Sequence, residues 1–467
     1  MLCAAQFLVI LDTSIIGVAL PAIQHALHFT QEDLQWVFKA YVISYGGLLL
    51  LGGRLSDLFG QRRLFMGGFL LLTLASLLAG LAWSEPVLII ARALQGVGAA
   101  LSSPAALSLV MGLFTDPREL GKAMGLWGAS AAAGGSAGVF FGGVITQWLS
   151  WQWIFLIYVP FGLLVLLLCP GLLPEGSVRR GRVEYVGALL VTGALVLAVY
   201  AIATAEYVGW GSLQTIGLLV LAALLLGAFL LLQRVQAQPL IPLRIFTAPN
   251  LSAGNVITAL LAATWIPLWY FLNLYLQQVL GYSALTGGLA LLPITVTIMI
   301  LMVTLTARLV HRFGFKTNLV IGLLCLAASL GLFALAPTHG NYLLHVLPAS
   351  LLAALGMVLA YVPATIAAMS GAQPEDAGLA SGLVNSSYQI GSALGLAAMV
   401  ALSTAITASS FQAETNQIIA INAGFHAAFA GAAIIGLLGA LLALVWLRQP
   451  KAFPKVEQVE DIAEVRR

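Results

Sequence analysis

Asp12 is the residue whose type and position most clearly allow chemistry in this sequence. It lies in an apolar stretch from Met1 to Gln24 that contains no other Asp, Glu, Lys or Arg. In a membrane-spanning helix, Asp12 would lie about ten residues from the outer end, or roughly 15 Å deep. A charge at that depth costs at least about 2.5 kcal/mol, so an acid there indicates a functional site. Burial favours the neutral acid, which would let Asp12 take up and release a proton.

Arg92 is the cation that we expect to pair with Asp12. A purely structural ion pair is one interpretation of these two residues. A coupling role is the other, and the two are compatible, because protonation of Asp12 would release Arg92 and bias an equilibrium between two conformations. We predict that Asp12 and Arg92 couple proton movement to a conformational change.

A charged segment between two apolar stretches, residues 53–63, is the second candidate site. Asp57 can accept hydrogen bonds at a helix end or pair with an arginine, and Gly60 permits a left-handed turn. Arginines that only orient the chain in the membrane would explain Arg62 and Arg63. They would not explain the spacing of Gly53, Asp57 and Gly60. We predict that these five residues gate a conformational change.

Composition places both candidate sites in a membrane protein. The 467-residue chain is 61% hydrophobic and 8% charged, whereas soluble proteins carry about 25% charged residues. The runs between Arg244 and Arg308 and between Lys316 and Glu375 contain no charged residue. Each is more than twice as long as the roughly 20 residues that one spanning helix needs. Counting spans in this way predicts fourteen helices.

The basic residues predict the orientation, because Lys and Arg gather in short cytoplasmic loops. Along fourteen spans, all of them except Lys39 and Arg92 fall on one side, which also carries both termini. This topology explains the net charge of +3, so no nucleic-acid partner is expected. The three cysteines lie singly, without metal-ligand spacing. Met1 opens directly into the first span, which indicates a trimmed or misassigned start.

The sequence repeats itself at a nearly constant offset. The glycines at 121, 125, 134 and 138 recur at 378, 382, 391 and 395, and Arg54-Leu55 and Phe59-Gly60 recur as Arg308-Leu309 and Phe313-Gly314. Two six-helix bundles related in this way enclose a midplane site in alternating-access carriers. We predict such bundles at 1–174 and 241–449, two inserted helices at 175–240 and a cytoplasmic tail at 450–467.

Residues between the predicted bundles are candidates for substrate binding. A single aromatic residue in such a helix packs against neighbours about as often as it lines a cavity. A set of them supplies an apolar wall with few polar points. The candidates are Tyr41, Gln95, Trp265, Trp269, Tyr270, Asn273, Gln277, Asn385 and Gln389. Because no Asp or Glu occurs between Arg244 and Glu375, we expect neutral or anionic lipophilic substrates.

The charged segment resembles the signature loop of the major facilitator superfamily, Gly-x-Leu-x-Asp-Arg-x-Gly-Arg-Arg, with Leu58 and Gln61 in place of two basic residues. Other segments resemble the drug:proton antiporters of that superfamily that have fourteen spans. They are Leu11 to Pro21, Trp36 to Tyr41, Arg92 to Gly98, Leu276 to Ser283 and Ala380 to Asn385. Gly138, Gly142 and Gly143 match the glycines of the antiporter motif, with Val139 in place of its proline. Such glycines allow helices to approach and bend, so we predict a gating role for all three.

The resemblance implies an all-α polytopic membrane protein with the major facilitator fold, two six-helix bundles plus two inserted helices. It implies a multidrug efflux antiporter in the cell inner membrane, driven by the proton gradient without a cofactor. A periplasmic adaptor and an outer-membrane channel would be partners if the source has two membranes. Proton symport for uptake of a small organic solute is the alternative, because the same fold serves both directions. An enzyme is not expected, since the spans contain no paired carboxylates and no serine–histidine set.

Overall fold

Helices form all the regular secondary structure that the structure describes. The computed structural model describes residues 1–34, 36–114, 116–174, 185–209, 211–236, 239, 243–248, 250–373, 376–413 and 416–448, apart from some side chains within them. The predicted tail at 450–467 and the loop 175–184 that would open the predicted insert lie outside these residues. The boundaries of the predicted domains therefore stay predictions.

The helices up to the predicted insert are α1 Leu2–Leu27, α2 Gln31–Leu34, α3 Trp36–Phe59, α4 Gln61–Gly80, α5 Glu85–Leu113, α6 Pro117–Trp148, α7 Trp153–Leu156 and α8 Tyr158–Leu172. The next two are α9 Tyr185–Val208 and α10 Leu213–Val235, followed by a 3₁₀ turn at Leu243–Thr247. The remainder are α11 Leu251–Leu274, α12 Ala284–Thr304, α13 Thr306–Phe333, α14 Leu347–Met369, α15 Ala377–Ala413 and α16 Gln417–Trp446. Single π-helical turns at Tyr275–Val279 and Tyr342–Val346 adjoin α11 and α14.

Many of these helices can cross a membrane. Among the described residues, eleven helical segments are long and apolar enough to do so, and α1 and α9 contain the shorter apolar stretches Leu2–Ile16 and Val186–Ile202. An all-helical, multi-pass membrane protein is therefore confirmed. The predicted number of fourteen spans stays a prediction.

The Phe-Gly repeat in the sequence corresponds to a repeat in backbone conformation. Gly60 separates α3 from α4 with φ 94° and ψ 132°, and Gly314 divides α13 into two helical parts with φ 76° and ψ 168°. Because positive φ is costly for residues that carry a Cβ atom, glycine allows the same change of direction at both places.

Equivalent helix crossings also repeat. Gly68 faces Gly98 where α4 crosses α5, and Gly322 faces Gly356 where α13 crosses α14. A Cβ atom at Gly68 would lie 2.8 Å from the Gly98 oxygen, and one at Gly356 would lie 2.8 Å from the Gly322 oxygen. The backbones at both crossings are thus in direct contact, as expected of a duplicated bundle.

Helix α9 of the predicted insert packs against the side of α3. The Trp36 and Tyr200 rings stack with centroids 6.0 Å apart, and a Cβ atom at Gly46 would lie 3.3 Å from Val199 Cγ2. Helix α9 also contacts α15, and α10 packs on α9. Helix α9 therefore lies beside the place where α3 meets α15.

Basic residues lie near the end of α3 and near the starts of α4, α6 and α13. A Cβ atom at Gly121 on α6 would lie 3.2 Å from Ala307 Cα on α13, so the two repeats meet there. We call this the basic end of the protein. It corresponds to the side that the sequence predicts to be cytoplasmic.

Candidate functional site

Asp12 and Arg92 form a fully buried ion pair. Arg92 Nη1 donates to Asp12 Oδ2 at 2.9 Å, and neither residue is accessible to solvent. The structure therefore brings together the two residues for which we predict a coupling role. A buried charge of this kind is tolerated only when it is paired and hydrogen-bonded, because removing it from water is costly.

Neighbouring helices hold the Arg92 guanidinium in place. Arg92 Nε donates to the Val37 carbonyl on α3 at 2.9 Å. The Arg92 Cζ atom lies 4.5 Å from the centroid of the Tyr41 ring and 5.8 Å from that of Phe155. A cation over an aromatic face is favourable in a desolvated site. Arg92 therefore connects α5 to α1, α3 and α7.

Gln95, one helical turn after Arg92, extends the pair into a polar network. Gln95 Oε1 accepts from Arg92 Nη1 at 2.8 Å, and Gln95 Nε2 donates to Asp12 Oδ1 at 3.5 Å. The same Nε2 donates to Ser76 Oγ on α4 at 2.8 Å. The buried Ser76 is a site residue that sequence reasoning missed, since a lone serine in an apolar helix carries no signal.

Helix α6 packs tightly against the helix that carries Asp12. A Cβ atom at Gly138 would lie 2.6 Å from Ser14 Cβ and 2.9 Å from the Ile15 nitrogen. Gly142 is buried one turn further along. Gly143 lies in the same helix, but its surroundings fall outside the described residues. The glycines at 138 and 142 therefore sit in a tightly packed helix, and the predicted gating role stays a prediction.

Asp57 joins the two repeats at the basic end. Its Oδ1 accepts from the Gly378 backbone N–H at 2.7 Å, and its Oδ2 accepts from the Leu379 N–H at 2.8 Å. Both N–H groups belong to the first turn of α15, where the helix dipole favours a negative charge. Asp57 thereby fixes the end of α3 to the start of α15.

Glycines and further charges surround this contact. A Cβ atom at Gly53 would collide with the Gly378 carbonyl oxygen and lie 2.9 Å from Gly382 Cα. Asp376, which sequence reasoning missed, lies 3.9 Å from Arg54 Nη1 and 3.7 Å from Arg244 Nη2. The basic end is therefore closed between α3 and α15 in this conformation.

The two predicted gating arginines, Arg62 and Arg63, have different surroundings. Arg62 Nη1 donates to the Leu173 carbonyl at 2.9 Å, so it ties α4 to the end of α8. Arg63 is exposed. Of the five predicted gating residues, Gly53 and Asp57 contact the second repeat directly, and Gly60 makes the turn.

The predicted substrate-binding residues fall into separate groups. Tyr41 and Gln95 are fully buried against Arg92. On α11 and the π-helical turn that follows it, the Trp265 and Trp269 rings meet edge to face with centroids 5.8 Å apart. There Gln277 Nε2 also donates to Asn273 Oδ1 at 3.0 Å. The remaining members are the exposed Tyr270, in contact with Phe271, and the half-buried Asn385 and Gln389 on α15. Substrate binding by this set stays a prediction.

The amino-acid sequence of the chain is similar to a known family and to several characterised proteins. Residues 2–396 match the Major Facilitator Superfamily. The chain is 42% identical to the puromycin resistance protein pur8 of Streptomyces alboniger over 87% of this chain and 81% of that protein. It is 37% identical to the cephamycin export protein CmcT of Amycolatopsis lactamdurans over 87% of this chain and 85% of that protein.

A solved structure shares the fold. The human organic anion transporter MFSD10 (TETRAN) superposes with a TM-score of 0.67 at 15% identity. The superposition covers 95% of this chain and 97% of that one. At this identity the likeness concerns the fold alone.

Proposed function

Because the chain belongs to the Major Facilitator Superfamily and is a membrane transporter, we propose that it exports lipophilic small molecules in exchange for protons. The observation that carries the proposal is the buried Asp12–Arg92 pair, joined at 2.9 Å. A carboxylate paired inside a membrane can exist in a charged and a neutral form, and each form favours a different arrangement of its partner. The driving force would be the proton gradient, without a cofactor.

Alternating access supplies the mechanism. In the conformation described here, Asp57 holds α3 to α15 and closes the basic end. Transport requires that this contact break while the opposite end closes around a site between the two repeats. Protonation of Asp12 removes the negative charge that pairs with Arg92. It would thereby change the relative stability of the two conformations.

The relatives support export and indicate a broad class of substrate. One is named for puromycin resistance and another for cephamycin export, so we propose drug-like molecules as substrates. No carboxylate occurs between Arg244 and Glu375, which favours neutral or anionic molecules over dications. Proton symport for uptake would use the same residues, but the relatives' names favour efflux.

Placement in the cell follows from the same proposal. The basic end would face the cytoplasm, because basic loops are retained there, and the membrane would be the cell inner membrane. A periplasmic adaptor and an outer-membrane channel would complete export where a second membrane is present.

Proteoliposomes with an imposed pH difference test this function. The probes are radiolabelled puromycin, the lipophilic anion anilinonaphthalene sulfonate and the lipophilic cation tetraphenylphosphonium. We expect pH-driven movement of at least one of the first two against its gradient, with proton flux that depends on the probe. Transport that is unchanged in Asp12→Asn, or proton flux that is independent of all three probes, would contradict the proposal.

A further inference from the structure

Gln95 hydrogen-bonds to both members of the buried ion pair. Its Oε1 accepts from Arg92 at 2.8 Å, while its Nε2 faces Asp12 Oδ1 at 3.5 Å and donates to Ser76 at 2.8 Å. All four side chains are buried. A primary amide has a donor side and an acceptor side that differ in position, so its orientation depends on the charge state of its neighbours.

The hydrogen bonds around Asp12 suit a carboxylate and conflict with the neutral acid. Asp12 Oδ2 faces an N–H donor of Arg92, and Oδ1 faces the N–H donors of Gln95. A carboxylate only accepts hydrogen bonds, whereas the protonated acid must also donate one. The nearby acceptor, Gln95 Oε1, faces Arg92, and it is the amide nitrogen Nε2 that faces Asp12 Oδ1. A proton on Asp12 therefore creates a contact between two donors in a buried site, which is costly.

We infer that Gln95 is a positioning residue that converts protonation of Asp12 into the loss of hydrogen bonds at Arg92. Rotation of the Gln95 amide offers its oxygen to the new Asp12 O–H and turns its N–H groups toward Arg92. The guanidinium then loses the charge of Asp12 and the oxygen of Gln95 together, and keeps the Val37 carbonyl. A buried cation with so few partners is unstable, so the protein moves to its other conformation. This inference rests on the proposed proton coupling.

The other ionisable groups near Asp12 are accounted for. Within the described part of the chain, Arg92 on α5, Tyr41 on α3 and Tyr158 on α8 are the titratable side chains that interact with Asp12. Tyr158 donates its hydroxyl to the Leu8 carbonyl at 2.7 Å. Helices α6 and α2 also pack against α1. Glu119 and Lys122 lie in the first turns of α6, and Asp33 is bound to Thr30 at α2.

A distance measured across the basic end tests the inference without a substrate. Spin labels are attached at Phe59 and Phe313, which are exposed and equivalent in the two repeats, after replacement of Cys3, Cys169 and Cys325. The full chain in lipid nanodiscs is then measured from acidic to alkaline buffer. We expect two distance populations whose ratio changes with pH in the otherwise unaltered protein and changes less in Asp12→Asn, where Asp57 at the basic-end contact can still take up a proton.

One substitution at position 95 separates this inference from proton coupling itself. Gln95→Met removes both the donor side and the acceptor side of the amide and adds no titratable group. We expect it to reduce the Asp12-dependent part of the change in the population ratio about tenfold, the usual effect of losing a hydrogen bond to a charged group. Ser102→Ala on the same helix loses only a local bond to Ala99 and should respond like the unaltered protein.

The outcomes are distinct. A pH response that is as large in Asp12→Asn as in the unaltered protein, or is missing from the unaltered protein, overturns the proposed coupling and the inference together. An Asp12-dependent response that is of full size in folded Gln95→Met overturns the inference alone.

Discussion

Asp57 on α3 accepts a hydrogen bond from the Gly378 backbone at the start of α15, across 321 positions of sequence. The two residues belong to different copies of the internal repeat, and the bond joins them where the basic end is closed. Asp57 is buried, and its side chain faces the positive end of a helix dipole, which favours a negative charge. We therefore expect the bond to break when the basic end opens.

Asp57→Asn should open the basic end. The amide keeps one oxygen but presents an NH₂ group to a backbone N–H, and it loses the charge that the helix dipole stabilises. A hydrogen bond to a charged group contributes roughly 1.5–3 kcal/mol. We thus expect the closed population to fall about tenfold or more relative to the open one. The distance between spin labels at Phe59 and Phe313 measures the ratio of the closed to the open population.

The exposed Arg63 offers the matched control for that prediction. Arg63→Gln also removes a charge from the same segment, but the side chain is exposed and exposed charges contribute little. The closed population should stay unchanged. An equal effect of both substitutions would mean that the overall charge of the segment matters, and not the bond to Gly378.

The ion pair and the turn could be predicted from the sequence because few residue types meet the physical requirements of either one. A carboxylate deep in an apolar helix needs a cation, and Arg92 is one of two basic residues outside the basic loops. Gly60 and Gly314 lie at the same position of the internal repeat, and both have positive φ. In these cases the residue type itself carries the structural information.

Other parts of the site had no such signal. The partners of Asp57 are backbone N–H groups, which any residue would supply. The sequence predicts that Gln95 and Tyr41 line the substrate site, which stays a prediction, but it does not reveal that the rotation of α5 and α3 brings both side chains against Arg92. Helix rotation depends on tertiary packing, which the sequence of one helix does not specify.

Arg92→Leu should make stability depend on pH. The substitution leaves Asp12 buried without its cation, so the folded protein holds the neutral acid more readily than the unfolded chain does. Stability should then increase as the pH falls and decrease as it rises. Asp12→Asn leaves the buried Arg92 cation without a counter-charge, which costs about 3–5 kcal/mol at any pH because arginine stays charged. Thermal unfolding in detergent across a pH series distinguishes the two variants. The same pH dependence in both would refute this account of the pair.

Gly314→Ala should destabilise the turn within α13. Gly314 has φ 76° and ψ 168°, a conformation that essentially only glycine adopts and that costs other residues roughly 1–3 kcal/mol. Gly331, later in α13, is helical, and a Cβ atom added there would have no neighbouring atom within 4 Å. Gly331→Ala should therefore leave the unfolding temperature in detergent unchanged or raise it, while Gly314→Ala lowers it. Equal midpoints for the two variants would show that the Gly314 turn relaxes without cost.

Gly138→Ala should impair transport more than Gly135→Ala, although the two glycines are one turn apart on α6. The new Cβ atom at 138 would lie 2.6 Å from Ser14 Cβ and 3.0 Å from the Leu11 oxygen. At 135 the nearest neighbouring atom is Ser14 Oγ at 3.9 Å. Larger residues at 138 should push α6 away from the helix that carries Asp12 and hold the protein in one conformation. Initial rates of pH-driven puromycin transport in proteoliposomes, with the label distance across the basic end, measure both effects. If Gly138→Ala transports at the rate of Gly135→Ala, the close packing of α6 on α1 does not control the conformational change.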